Sequence, residues 1–128
     1  MKIEHLAIWT EDLDLLRRFY MKYFDAECGE MYVNNSKKFS SHFLTFGKGG
    51  TRIELMHTHD IENRPENGNL RGLAHFAISV GEKDIVDSLT KKLREDGYPV
   101  LSNPRHTGDG YYESIVSDPE GNRIEITI

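Results

Sequence analysis

Cysteine is nearly absent from this 128-residue chain. Cys28 is the single one, so no disulfide can form within the chain, and the sequence fits a reducing, cytoplasmic compartment. Cys28 itself reads as a half-buried strand residue rather than a nucleophile. Long apolar runs are missing as well. The longest spans a few residues, against the ~20 that a membrane helix needs, and the opening Met1-Lys2-Ile3-Glu4-His5 lacks the apolar stretch of a signal peptide. No membrane partner is expected. Positive charge is in deficit, with 16 Lys and Arg against 21 Asp and Glu and a net charge of −5. A phosphate-binding surface needs clustered Lys and Arg, so nucleic acid is not expected as a partner. No segment is of low complexity.

What the chain does have is a core. Leu, Ile, Val and Phe make up a quarter of it, above the ~20% below which a charged chain stays disordered. The length fits one domain over 1–128, or two small fused repeats, and a chain of this size buries roughly two-thirds of its surface.

The sequence repeats itself. His5-Leu6-Ala7-Ile8 near the start is echoed by His75-Phe76-Ala77-Ile78 at an offset of 70. Arg52-Ile53-Glu54-Leu55 is echoed by Arg123-Ile124-Glu125-Ile126 at an offset of 71. A histidine therefore precedes a glutamate by 49 residues in one half and 50 in the other.

Each half reads as strand, helix, then strands. In the first, the pattern predicts a strand over 3–9 and a helix over 12–25. Thr10 or Asp12 caps that helix, Leu13, Leu16, Tyr20 and Phe24 are on its apolar stripe, and Gly29 lies just beyond. Strands over 39–46 and 51–56 follow, joined by Gly47-Lys48-Gly49-Gly50. In the second, a strand over 73–80 precedes a helix marked by Ile85, Leu89 and Leu93 and stopped by Gly97. Strands over 111–117 and 122–127 then flank the turn Asp118-Pro119-Glu120-Gly121. Weaker strands fall around 31–33 and 99–101. Residues 57–72 form a polar linker long enough to border a site. The expected architecture is two βαβββ modules, 1–56 and 73–128, in an α+β fold. Their strands make a cupped, open mixed sheet with the helices on its outer face.

Strand alternation places the unusual polar residues. Ile53 and Leu55 oppose Arg52, Glu54 and Met56, and Ile124 and Ile126 oppose Arg123, Glu125 and Thr127. If the purely apolar faces pack on the helices, His5, Glu54, His75 and Glu125 are left on the faces that a curved sheet gathers into a cup. Two imidazoles and two carboxylates are a ligand set for a divalent metal such as Ni, Zn, Co, Mn or Fe. The carboxylates neutralise the ion, and four protein ligands in an octahedral site leave two positions open to water or substrate.

These motifs resemble the vicinal oxygen chelate superfamily, also called the glyoxalase, bleomycin-resistance and dioxygenase superfamily. The resemblance covers nearly the whole chain. It rests on His5-Leu6-Ala7-Ile8, on Gly72-Leu73-Ala74-His75-Phe76-Ala77-Ile78, and most specifically on Asp118-Pro119-Glu120-Gly121-Asn122-Arg123-Ile124-Glu125. It implies paired βαβββ modules around a metal, in a homodimer acting on a small-molecule substrate. Glyoxalase I, lactoylglutathione lyase, is the branch whose ligand pattern matches His5, Glu54, His75 and Glu125. Its glutathione-using members carry Arg four residues after the first ligand and Asn four residues after the second, where this chain has Trp9 and Thr58. Glutathione is therefore not implied, and Lys48, Arg71 and Arg105 are the cations available to a substrate carboxylate.

The activity implied is a lyase or isomerase reaction on a substrate with neighbouring oxygens, such as a hemithioacetal of methylglyoxal, through a metal-held enediolate. Glu125 is the expected base and Glu54 the partner ligand or second acid–base group. Two rival readings use the same fold. One is a non-catalytic binding or resistance protein with Trp9, Phe43, Tyr111 and Tyr112 around a planar ligand. The other is a ring-cleaving dioxygenase, disfavoured by a carboxylate at Glu54 where that branch has histidine. His42, His57, His59 and His106 read as surface or loop residues, with His57 and His106 near substrate if their loops close over the cup.

Overall fold

The computed structural model describes residues 1–63, 65 and 71–128. The expected linker over 57–72 therefore lies partly outside the described residues. The chain divides into two compact units, Met1–Arg64 and Pro65–Ile128, each an α+β arrangement of one helix on a mixed sheet.

In the first unit, β1 (His5–Trp9) leads into α1 (Leu13–Phe24), then β2 (Glu27–Cys28), β3 (Tyr32–Asn34), β4 (Phe39–Thr45) and β5 (Arg52–Thr58). The sheet order is β1-β5-β4-β2, with β3 also on β4. Of the two expected caps, Asp12 starts α1, its carboxylate accepting the backbone N–H groups of Asp14 and Leu15. The helix ends earlier than Gly29. Asp25 takes the left-handed conformation at φ 50° and returns its N–H towards Tyr20, a conformation that Asp tolerates because its short side chain can bond locally. Leu16, Phe19, Tyr20, Tyr23 and Phe24 bury one face of α1 against β4 and β5, where Leu44, Ile53 and Leu55 are buried. Cys28 is half-buried in β2, as expected, and burial raises its thiol pKa above the ordinary value.

In the second unit, β6 (Phe76–Ser79) precedes α2 (Lys83–Glu95), β7 (Val100–His106), β8 (Tyr112–Ser117) and β9 (Arg123–Thr127), ordered β6-β9-β8-β7. Both units thus pair their first and last strands in parallel and the rest antiparallel. The expected apolar stripe of α2 holds at Leu93 and is displaced by one position in the two turns before it. Val86, Thr90 and Leu93 are buried and Ile85 is exposed. Thr90 is tolerated there because its hydroxyl donates to the Val86 carbonyl at 2.6 Å, which leaves the Ser114 hydroxyl to donate to it at 2.6 Å.

The edge strands are where the units are least regular. In the first, β2 and β3 pair with opposite ends of β4, and Gly29 between them keeps one bond to the Phe43 carbonyl at 2.9 Å. In the second, β7 is longer than the short strand expected at 99–101, and its pairing with β8 shifts register twice. Pro104, which has no N–H to give the ladder, lies within the second shift. Strand β6 is shorter than the 73–80 expected, its ladder with β9 running from Phe76 opposite Ile124 to Ser79 opposite Thr127.

Candidate functional site

Strand register sets the site in each half. In the first, Ala7 lies opposite Glu54 on β1 and β5, and Phe43 lies opposite Glu54 on β4 and β5. In the second, Ala77 and Ile115 lie opposite Glu125 in the same way. Residues paired across a ladder share a face, so each glutamate points away from the buried Ile53, Leu55, Ile124 and Ile126. The alanine beside each glutamate is exposed, and its methyl leaves the approach to the carboxylate open.

Each histidine reaches its own glutamate. His5 Nε2 lies 3.7 Å from Glu54 Oε2, and His75 Nε2 lies 3.2 Å from Glu125 Oε1. The glutamate side chains are 15% and 17% exposed, and the histidines 40% and 43%. Two donors each ~2.1 Å from one ion stand roughly 3.0–4.2 Å apart, depending on the angle between them. Within each pair the spacing fits a divalent cation held between the two donors, and the nitrogen–oxygen chemistry suits one of the borderline ions. Among the described residues, no group of three or more His, Cys, Asp or Glu side chains gathers around one point. Each half supplies a pair.

The surroundings of the two histidines differ. The Glu4 carboxylate lies 2.5 Å from His5 Nδ1 and is ion-paired with Arg52. The hydrogen bond from His5, with the Arg52 guanidinium beside it, holds the Glu4 carboxyl below its ordinary pKa. The His5 and Phe43 rings stand perpendicular, 5.4 Å apart at 89°, and the Arg52 guanidinium covers the Phe43 ring at 4.1 Å. At the positions matching Glu4 and Phe43 the second half has Ala74 and Ile115. Glu4 and Arg52 were missed from the sequence as supports of the site, although Arg52 belongs to the repeated Arg-Ile-Glu.

The turn that delivers Glu125 is built on Asp118, which is only 2% exposed. Its Oδ1 accepts the backbone N–H groups of Glu120 and Asn122, and its Oδ2 accepts the Asn122 side-chain amide at 2.8 Å. Gly121 takes φ +84° to close the turn. The most specific motif of the sequence is therefore a hairpin that fixes the register of β9.

Several expected contacts with substrate fall away. His57 lies in β5 on the Leu55 face and donates from Nδ1 to the Thr10 carbonyl at 2.9 Å. His106 ends β7 and packs against Tyr112 at 4.8 Å between ring centres. Tyr112 lies on the helix side, its hydroxyl donating to Asp87 on α2 at 2.6 Å. Those three residues do not share the glutamate faces. Of the proposed aromatic lining, Phe43 and Trp9 do lie on the Glu54 face, and Trp9 is half-exposed. Arg105 shares the Glu125 face through its pairing with Glu113, whose carboxylate it approaches at 3.7 Å. Thr58 ends β5 and donates to Asp60 at 2.9 Å.

Two α+β units, each pairing its first and last strands in parallel, have the arrangement of a glyoxalase-type scaffold. The chain belongs to the Glyoxalase/Bleomycin resistance protein/Dioxygenase superfamily, whose family model matches residues 2–126. It is 30% identical over 128 residues to the uncharacterized protein YqjT of Bacillus subtilis strain 168, covering 97% of this chain and 96% of that one. The fold is also similar to a V278E mutant of glyoxalase I from Zea mays, with a TM-score of 0.81 and 21% identity over 98% of this chain. This chain spans 44% of the maize chain, less than half its length. The trypanothione-dependent glyoxalase I of Leishmania major is similar in fold, with a TM-score of 0.78 and 22% identity over 99% of this chain and 86% of that one.

Proposed function

We propose that this protein is a metal-dependent, glyoxalase I-like isomerase or lyase. In this reading His5, Glu54, His75 and Glu125 together hold one divalent ion, and the two pairs of each site come from different subunits of a homodimer. The observation that carries the reading is the repetition of one His–Glu geometry, at the same ladder register and the same exposure, in both halves. The glyoxalase I enzymes among the structures of similar fold support it.

The substrate class is a small molecule with oxygens on neighbouring carbons, such as the hemithioacetal of methylglyoxal with a thiol. A bound divalent ion would supply Lewis-acid stabilisation of the negative charge that develops on those oxygens. Glu125 takes the proton from the carbon bearing sulfur and hydroxyl, and a proton is returned to the adjacent carbonyl carbon. The product is a 2-hydroxy thioester, with no net gain or loss of electrons. His5 and His75 would hold the metal through Nε2, the nitrogen each turns to its glutamate, and Glu54 would be the second carboxylate ligand. Trp9 narrows the Glu54 face, and Arg105, on the Glu125 face, would meet an acidic tail of the thiol.

Metal titration of the purified chain tests this. One Ni²⁺ or Zn²⁺ per four-residue set is expected, with a higher melting temperature on binding and weaker binding in His5→Ala and His75→Ala. Failure of the wild type to bind a stoichiometric ion, or binding by both variants as tight as that of the wild type, would overturn the reading.

A further inference from the structure

The two histidines of the candidate site are equivalent in register but not in support. The Glu4 carboxylate can only accept a hydrogen bond, so the nitrogen facing it, His5 Nδ1, carries the proton. In the neutral imidazole the lone pair is then left on Nε2, the atom that faces Glu54. Glu4 is anchored in turn by Arg52, which lies opposite His5 in the ladder and rests on the Phe43 ring. The order is Arg52, Glu4, His5, Glu54. In the second half Ala74 replaces Glu4, and among the described residues neither His75 Nδ1 nor the Arg123 guanidinium has a side-chain partner.

We propose that Glu4 is a positioning residue that fixes the tautomer and ring orientation of His5, making this half of the site a preformed donor while His75 is set by the ligand it binds. The value of such an arrangement for metal binding rests on the reading of His5 as a ligand given above. Carboxylates that accept the second N–H of a ligating histidine change metal affinity by roughly 10–100-fold when removed. The tautomer itself exists without any metal, so it can be observed separately.

The experiment is a long-range ¹H–¹⁵N correlation spectrum of the metal-free, full-length protein at a pH where the imidazoles are neutral, followed by titration with Ni²⁺. In the wild type His5 is expected in the Nδ1–H form, and His75, whose Nε2 lies 3.2 Å from the Glu125 carboxylate, in the Nε2–H form. Glu4→Ala should shift His5 towards the Nε2–H form and leave His75 unchanged, and Glu4→Gln, whose amide oxygen still accepts, should restore much of the wild-type pattern. Ni²⁺ affinity should fall about 10–100-fold in Glu4→Ala and less in Glu4→Gln. A wild-type His5 in the Nε2–H form, or a His5 spectrum unaltered by Glu4→Ala, overturns the proposal. A tautomer that shifts while Ni²⁺ affinity stays within about twofold overturns the link to the metal. A wild type that binds no Ni²⁺ defeats the metal reading instead, and the spectra still decide whether Glu4 orders His5.

Discussion

The first and second halves of this chain place a histidine and a glutamate in the same ladder register, yet they surround that pair differently. Beneath the first, α1 packs through four aromatic residues, Phe19, Tyr20, Tyr23 and Phe24. Beneath the second, α2 buries only Val86, Thr90 and Leu93 and uses a hydroxyl pair with Ser114. The first hairpin turns on glycines in an exposed loop, Gly47, Gly49 and Gly50 all at positive φ. The second turns on a buried carboxylate. His5 is flanked by Glu4 and Phe43, and its counterpart by Ala74 and Ile115. The donor pair is a property of the parallel first-to-last strand register, since that register is what the halves share. Helix packing, turn chemistry and support of the imidazole diverge around it.

Helix substitutions provide the largest test of that contrast. Leu16→Ala, in the fully buried face of α1, should cost about 2–5 kcal/mol of stability in urea unfolding. Thr90→Ala in α2 removes a small side chain and strands the Ser114 hydroxyl, for about 1–3 kcal/mol. Equal costs would show that the two helices are anchored alike, against the contrast drawn here.

The two glutamates give the next test. Glu125→Gln keeps the size of the side chain and one ligand oxygen but removes the base, so turnover of a methylglyoxal hemithioacetal should fall by about 10²-fold or more. Glu54→Gln should fall less. If excess metal returns Glu125→Gln to the wild-type rate, Glu125 only holds the ion and the halves are chemically equivalent.

How much of this was legible beforehand follows the same division. The repeat, the strand faces and the four polar residues were readable because alternation and a matched offset need only local sequence. The buried face of α2 was not. Thr90 is polar, and its burial depends on partners for its hydroxyl, the Val86 carbonyl and Ser114, 24 positions away, so the pattern pointed to Ile85 instead. Glu4 was invisible for a related reason. Its partner Arg52 comes from the parallel strand 48 residues later, and no periodicity within residues 3–9 reveals it. Tyr112 and His106 were placed near the substrate because aromatic residues carry no mark of which face they take until the register of β8 is known.

The hairpin turns sharpen the comparison at a smaller scale. Asp118→Ala leaves two backbone N–H groups and the Asn122 amide without their acceptor, which should cost about 1–3 kcal/mol. It should also loosen the register that carries Glu125. Lys48→Ala, in the exposed glycine turn, should change stability by less than ~0.5 kcal/mol. Thermal melts of the two variants measure the difference, and equal shifts would remove the claim that only the second turn is pinned by a side chain.

The smallest effect is one of pH, again in the second half alone. Tyr112 donates to Asp87, and Asp84 adds to the negative charge that an ionised phenol would face, so its pKa lies above the ordinary value of 10. At the matching ladder position of the first half stands Ser40, which does not ionise in this range. A group whose pKa is raised by folding contributes stability that is complete below its unfolded pKa and is lost as the pH rises through the folded one. The difference in melting temperature between wild type and Tyr112→Phe should therefore stay constant from neutral pH to about 9.5 and narrow above about 10. The Lys83 ammonium lies 4.6 Å over the Tyr112 ring, and because phenylalanine keeps the ring this contribution largely cancels in the difference. A Ser40→Ala variant should show no such narrowing. A wild-type-to-Phe difference that persists unchanged well above pH 10 would mean that the Tyr112–Asp87 bond adds nothing to the fold.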